Sequence, residues 1–100
     1  MDDTQILQIL KALADSNRLA IIRHLGKGEA CVCELLEIFS VTQPTLSHHM
    51  RILSEANLVE GRREGKWIHY SIKEATMQAF QNSVHELKGS SAPRGGCVCV

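Results

Sequence analysis

The sequence has no excess of either charge: 11 Lys and Arg stand against 11 Asp and Glu, for a formal net charge of +0 at pH 7. Proteins that hold nucleic acid by bulk charge are more basic than this, so any such contact must come from where the charges are placed. No apolar run is long enough to span a bilayer, so neither a membrane segment nor a membrane partner is expected. No secretion signal is visible either, because the opening MDDTQILQIL is acidic and then amphipathic; this points to the cytoplasm. No internal repeat is present. The 100 residues make one domain, marginal without help, and a dimer would supply that help. The four cysteines form two C-x-C pairs, Cys31/Cys33 and Cys97/Cys99. Without a secretion signal these suggest metal or redox thiols rather than a disulfide framework. No Cys–His–carboxylate arrangement is evident, so an enzyme is not expected.

What is present centres on residues 31–58, CVCELLEIFSVTQPTLSHHMRILSEANL. It reads as two helices joined by a tight polar turn. Leu35, Leu36, Ile38 and Phe39 make the first helix apolar on its inner side. Ser40-Val41-Thr42 breaks the pattern, Thr42 can cap the next helix, and Pro44 falls in the first turn, where its missing N–H costs nothing. Leu46, Met50 and Leu53 recur at helical spacing and point inward. Gln43, Ser47, His48 and Arg51 share the opposite face, with Thr45 beside its start. Short hydrogen-bonding side chains with one Arg, presented after a tight turn, suit a reader of the DNA major groove.

Around this unit the pattern continues in order. Residues 4–13 form a helix with Ile6, Leu10 and Leu13 on one stripe and Ile9 beside it. Asp15-Ser16-Asn17 caps a second helix over 18–25, with Leu19, Ile22 and Leu25 inward, closed by Gly26 and Gly28. Past Leu58 the period changes: 58–63 and 66–72 flank Glu64-Gly65 and read as a two-stranded hairpin with Arg62, Arg63 and Lys66 at its tip. A basic-tipped hairpin after a recognition helix is a wing placed to meet phosphate or the minor groove. Residues 74–87 form a last helix with Met77, Phe80, Val84 and Leu87 on one seam. That seam, with Ile6 and Leu10 of the first helix, is expected to be a homodimer interface setting two recognition helices about one DNA turn apart. The expected fold is therefore mainly α with a small β-hairpin: a winged helix-turn-helix of five helices and a two-stranded wing. It occupies residues 1–88, and 89–100 (GSSAPRGGCVCV after Lys88) form a flexible tail ending in Cys97 and Cys99.

LKALADSNRLAIIRHL, EACVCELLEIF, TQPTLSHHMRILSEANLV and REGKWIHYSI together resemble the ArsR/SmtB family of winged-helix metalloregulatory repressors, over about residues 5–75. The arsenic-responsive branch is the most similar. The resemblance implies a dimeric repressor of double-stranded operator DNA near a resistance operon, released when an inducer binds. The best-known arsenic motif of that branch carries a third cysteine where this chain has Leu36. The departure makes Cys97 and Cys99 the natural thiols to complete a Cys31/Cys33 site, from the same subunit or its partner, or to act independently.

The inducer so implied is As(III) or Sb(III), a soft centre that prefers three sulfurs, with no organic cofactor; thiolates select soft ions. On an ideal helix Cys31 and Cys33 lie roughly 200° apart, so gripping one atom is expected to unwind the first turn and disturb the recognition helix. In an extended tail Cys97 and Cys99 point to the same side and chelate without strain. Two alternatives share the fold: a Cd(II)- or Zn(II)-responsive repressor with four thiolates in a tetrahedron, and a thiol-redox repressor. Classical zinc ligands are not expected, because the last helix offers His85 and Glu86 without paired spacing. His24 is expected on a helix surface and His69 on the wing, while His49 lies between faces.

Overall fold

The computed structural model describes residues 1–89; Cys97 and Cys99 lie outside the described residues. Helix α1 (Asp3–Leu13) opens with a reciprocal cap: Asp2 accepts from the Gln5 N–H at 2.8 Å, and the Gln5 side chain accepts from the Asp2 N–H at 3.2 Å. Helix α2 (Ser16–Leu25) starts two residues before the expected position. The Asp15 carboxylate alone caps it, accepting from the N–H groups of Asn17 and Arg18 at 3.0 Å each, so Ser16 and Asn17 join the first turn. A two-residue strand β1 (Ala30–Cys31) then leads directly into helix α3 (Val32–Phe39).

Ser40 ends α3 in the left-handed region (φ 50°), and Thr42 caps helix α4 (Gln43–Glu55), its hydroxyl 3.4 Å from the Thr45 N–H. Strands β2 (Val59–Glu64) and β3 (Trp67–Ile72) follow, then helix α5 (Glu74–Leu87). The hairpin turn is Gly65-Lys66, one residue later than expected, and Gly65 supplies the positive φ of 62° that a two-residue turn demands.

The wing is not two-stranded. Its sheet has the order β1-β3-β2, all antiparallel, with Ala30 opposite Tyr70 and Cys31 opposite His69. The added strand covers one edge of β3 and ties the segment before α3 to the wing.

The core gathers Ile9 and Ala12 of α1, Ile21, Ile22 and Leu25 of α2, and Leu35 of α3. Leu46, Met50 and Leu53 of α4, with Leu58 and Val59 after it, complete its centre. The inner face of α1 is therefore Ile9 and Ala12, with Leu10 turned out at 43% exposure. Leu19 and Ile38, both expected inward, are exposed as well. Phe80 turns into the protomer's own core instead of lying on an outward seam. No described helix is long and apolar enough to cross a membrane.

Candidate functional site

Cys31 occupies a double position: it is the last residue of β1 and the N-cap of α3, with extended backbone angles (φ −75°, ψ 148°). Cys33 is in the first turn of α3. The expectation that the pair must unwind a helix to act together is thereby corrected. Cys31 is outside the helix, its Sγ lies 2.8 Å from that of Cys33, and both are free thiols. Cys31 is half-buried and Cys33 exposed. The Cys33 S–H donates to Cys31, and this contact, with partial burial, pushes the Cys33 thiol above its ordinary pKa. Two sulfurs side by side at a helix start, with solvent on one side, can face one soft centre together. Among the described residues no cluster of three His, Cys, Asp or Glu could hold a metal ion.

Helix α4 buries Leu46, His49, Met50 and Leu53 and leaves Gln43, Thr45, Ser47, His48 and Arg51 exposed. All five residues expected to face DNA are thus open to solvent. His48 Nδ1 lies 3.4 Å from an Arg51 guanidinium nitrogen, which fans that side chain across the helix surface.

On the wing the three expected cations differ. Arg63 makes no ion pair among the described residues, and Lys66 lies over the Trp67 ring at 5.8 Å. Arg62 is engaged on two sides, 2.6 Å from Glu29 and 2.9 Å from Glu64. These carboxylates, Glu29 foremost, push the Arg62 pKa up, and Arg62 in turn holds Glu29 below the usual carboxylate range. Arg62 is therefore not a free cation at the wing, unlike Arg63.

Outside this unit, Leu7 and Leu10 of α1 and Val84 and Leu87 of α5 are exposed. Ile6 and Met77 are half-buried against the core.

The sequence profile described as "Bacterial regulatory protein, arsR family" matches residues 15–61. An arsenical resistance operon repressor of Staphylococcus aureus is 38% identical over 99 residues, spanning 99% of this chain and 92% of that protein. The chain belongs to the arsR family of bacterial regulatory proteins. A cadmium resistance regulatory protein homologue of Staphylococcus aureus is 37% identical over 68 residues, spanning 67% of this chain and 56% of that protein. The solution structure of a homodimeric winged helix-turn-helix DNA-binding domain from Mycobacterium bovis superposes with a TM-score of 0.70 at 28% identity, covering 94% of this chain and 97% of that one. This arsR-family chain is accordingly a DNA-binding transcriptional regulator of winged helix-turn-helix fold, not an enzyme.

Three contacts in this regulator escaped the sequence pattern. His49, on the inner side of the recognition helix, is 7% exposed, with Nδ1 3.3 Å from an Arg18 guanidinium nitrogen and 3.9 Å from Asp15. Arg18 also donates from Nε to the Ala12 carbonyl at 2.6 Å, so one side chain links α1, α2 and α4. Asp15 is held below the usual carboxylate range, first by the Arg18 backbone N–H and then by the charge of Arg18 and His49. Second, His24 is not simply on the surface. Its Nε2 lies 2.6 Å from Glu34, the residue after Cys33, and its ring meets Phe39 edge-on at 6.2 Å, joining α2 to α3. The third contact is Glu29 with Arg62. The sequence places His49 between faces and carries no signal for these three contacts.

Proposed function

We propose that this arsR-family regulator is a metalloid-responsive repressor. It binds operator DNA in the cytoplasm as a homodimer and is released when As(III) or Sb(III) is held by cysteine thiolates. The observation that carries the reading is the Cys31/Cys33 pair, with its sulfurs 2.8 Å apart at the start of the helix that supports the recognition helix. The arsenical resistance relative supports the choice of inducer. When bound, such a centre supplies a soft acid that favours three sulfurs; Cys31 and Cys33 would provide two, and Cys97 or Cys99 the third.

The chain's own residues divide the work. Gln43, Thr45, Ser47, His48 and Arg51 face the major groove. Arg63 and Lys66 meet phosphate from the wing, and Arg62 contributes only once its carboxylates let go. Ile6, Leu10, Met77, Val84 and Leu87 supply the intersubunit face, and Phe80 supports α5 from inside. Because Cys31 is the last residue of β1 and the N-cap of α3, a change at its side chain is felt on the helix-turn-helix side and on the wing side together.

The test uses a fluorescent duplex that the protein itself selects from a randomised pool. Wild type should bind it and release it on addition of sodium arsenite. Cys31→Ser and Cys33→Ser should bind it equally well and stay bound. Wild type that never releases the duplex with arsenite or antimonite would overturn the inducer.

A Cd(II)-responsive reading is favoured by the cadmium resistance relative and requires four ligands, hence both tail thiols. The sulfur coordination number in X-ray absorption separates it from a three-sulfur site. A redox reading predicts release by peroxide alone. That release is reversed by dithiothreitol and needs no metalloid.

A further inference from the structure

The sheet joins the thiol pair to the wing by a route that does not pass through the helix-turn-helix. Cys31 of β1 lies opposite His69 of β3, and His69 lies opposite Arg62 of β2. Residues in one lateral row of a sheet share a face, so Cys31, His69 and Arg62 form a line across the three strands. Glu29 stands two residues before Cys31 and reaches over the same face to Arg62. Its Oε1 lies 2.6 Å from Nη2, and its Oε2 lies 3.5 Å from Nε. The remaining nitrogen of Arg62, Nη1, donates to Glu64 at 2.9 Å, and Glu64 is also 3.7 Å from His69 Nε2.

Single exposed ion pairs hold little, but a two-point fork extended into a network fixes geometry. The fork spans β3, from the stretch that carries Cys31 to the strand that carries Arg63. A displacement of β1 at Cys31 must therefore either pull Arg62 with it or break the fork, and both outcomes reach the wing.

We propose that Glu29 is the positioning residue that couples the thiol sensor to the DNA-binding wing, through the Glu29–Arg62–Glu64 clamp. Glu29 touches neither inducer nor DNA in this role. It sets how strongly an event at Cys31 changes the placement of Arg63 and Lys66. The inference rests on the thiol-sensing reading above and specifies its transmission. Coupling between two sites is reciprocal. Losing the clamp should therefore weaken the effect of arsenite on duplex binding and of duplex on arsenite binding by the same factor.

The experiment uses the full chain as wild type, Glu29→Gln, Arg62→Gln and the double variant. Arsenite stoichiometry is read from thiolate–arsenic ultraviolet absorption, and duplex affinity is measured with and without sodium arsenite. The emission of Trp67, the one tryptophan of the sequence, is followed on adding arsenite without DNA. Trp67 pairs with Glu64 at the wing tip, so it reports the strand that the clamp holds.

Glu29→Gln should bind arsenite with wild-type stoichiometry, and its duplex affinity without arsenite should be no weaker. The ratio of affinities without and with arsenite should fall by about 5-fold or more, and the Trp67 response should fade. The double variant should lose no more than either single one, as residues acting through one contact do. Glu29→Gln and Arg62→Gln with the wild-type ratio and Trp67 response would overturn the coupling while leaving the sensing reading intact. Wild type that binds both arsenite and duplex without any change in duplex affinity would overturn the sensing reading and this coupling with it.

Discussion

Replacing Arg62 by Gln tests how many cations the wing offers to DNA. Each subunit presents Arg51, Arg63 and Lys66 without a carboxylate partner among the described residues, whereas Arg62 is shared by Glu29 and Glu64. A dimer placing those three cations on phosphates neutralises about six charges, and each contributes about −0.9 to the slope of log affinity against log salt, giving about −5. Counting Arg62 as well would give about −7. The assay is fluorescence anisotropy of the selected duplex between about 50 and 200 mM salt, a range over which six contacts cost about 10³-fold in affinity. Arg62→Gln should leave the slope within experimental scatter of wild type. Arg63→Gln should make it shallower by about 2, one contact being lost from each subunit. If Arg62→Gln flattens the slope as much as Arg63→Gln, the clamp opens on DNA and the assignment of Arg62 as a carboxylate-bound residue is wrong.

Three further outcomes follow from the packing and the thiol contact. Leu53, fully buried under the recognition helix, should cost about 3 kcal/mol when cut to Ala, seen as a lower urea midpoint at fixed protein concentration. Leu10→Glu with Leu87→Glu should leave the helical circular dichroism unchanged but convert the protein to a monomer in sedimentation; a dimer that survives would move the interface elsewhere. Alkylation of Cys33, followed by mass spectrometry of its peptide, should rise at a pH above that of an ordinary thiol. In Cys31→Ala its midpoint should drop, because the sulfur that holds the Cys33 proton is gone; an unchanged midpoint would contradict the contact.

Much of the fold was legible in the sequence because its signals are local. Helix periodicity, the Thr42 cap with Pro44 behind it, and the change to strand patterning past Leu58 each depend on residues a few positions apart. They located α1, α2, α5 and both hairpin strands within two residues, and placed α3 and α4 on either side of the Ser40–Thr42 break. The exposed side of α4 was legible for the same reason, since the buried stripe of Leu46, Met50 and Leu53 dictates what is left outside. The face of α1 was less certain. Ile6, Leu10 and Leu13 make an apolar stripe, but so do Ile9 and its neighbours, and only contact with α2, α4 and α5 selects which of them is covered.

The sequence by itself determined a winged helix-turn-helix regulator with a dithiol ahead of its reading unit, because motif order and spacing need no knowledge of distant contacts. Tertiary structure alone decided three things. It put Phe80 in the core and left Leu10, Val84 and Leu87 outside. It closed Arg62 onto Glu29, 33 residues away. It also laid residues 30–31 against β3, turning the wing into a three-stranded sheet and taking Cys31 out of the helix. Each of these depends on partners far apart in the chain, and no periodicity of a single segment specifies which distant strand or charge will meet it. The thiols could be recognised from their spacing, whereas their connection to the wing exists only in the folded sheet.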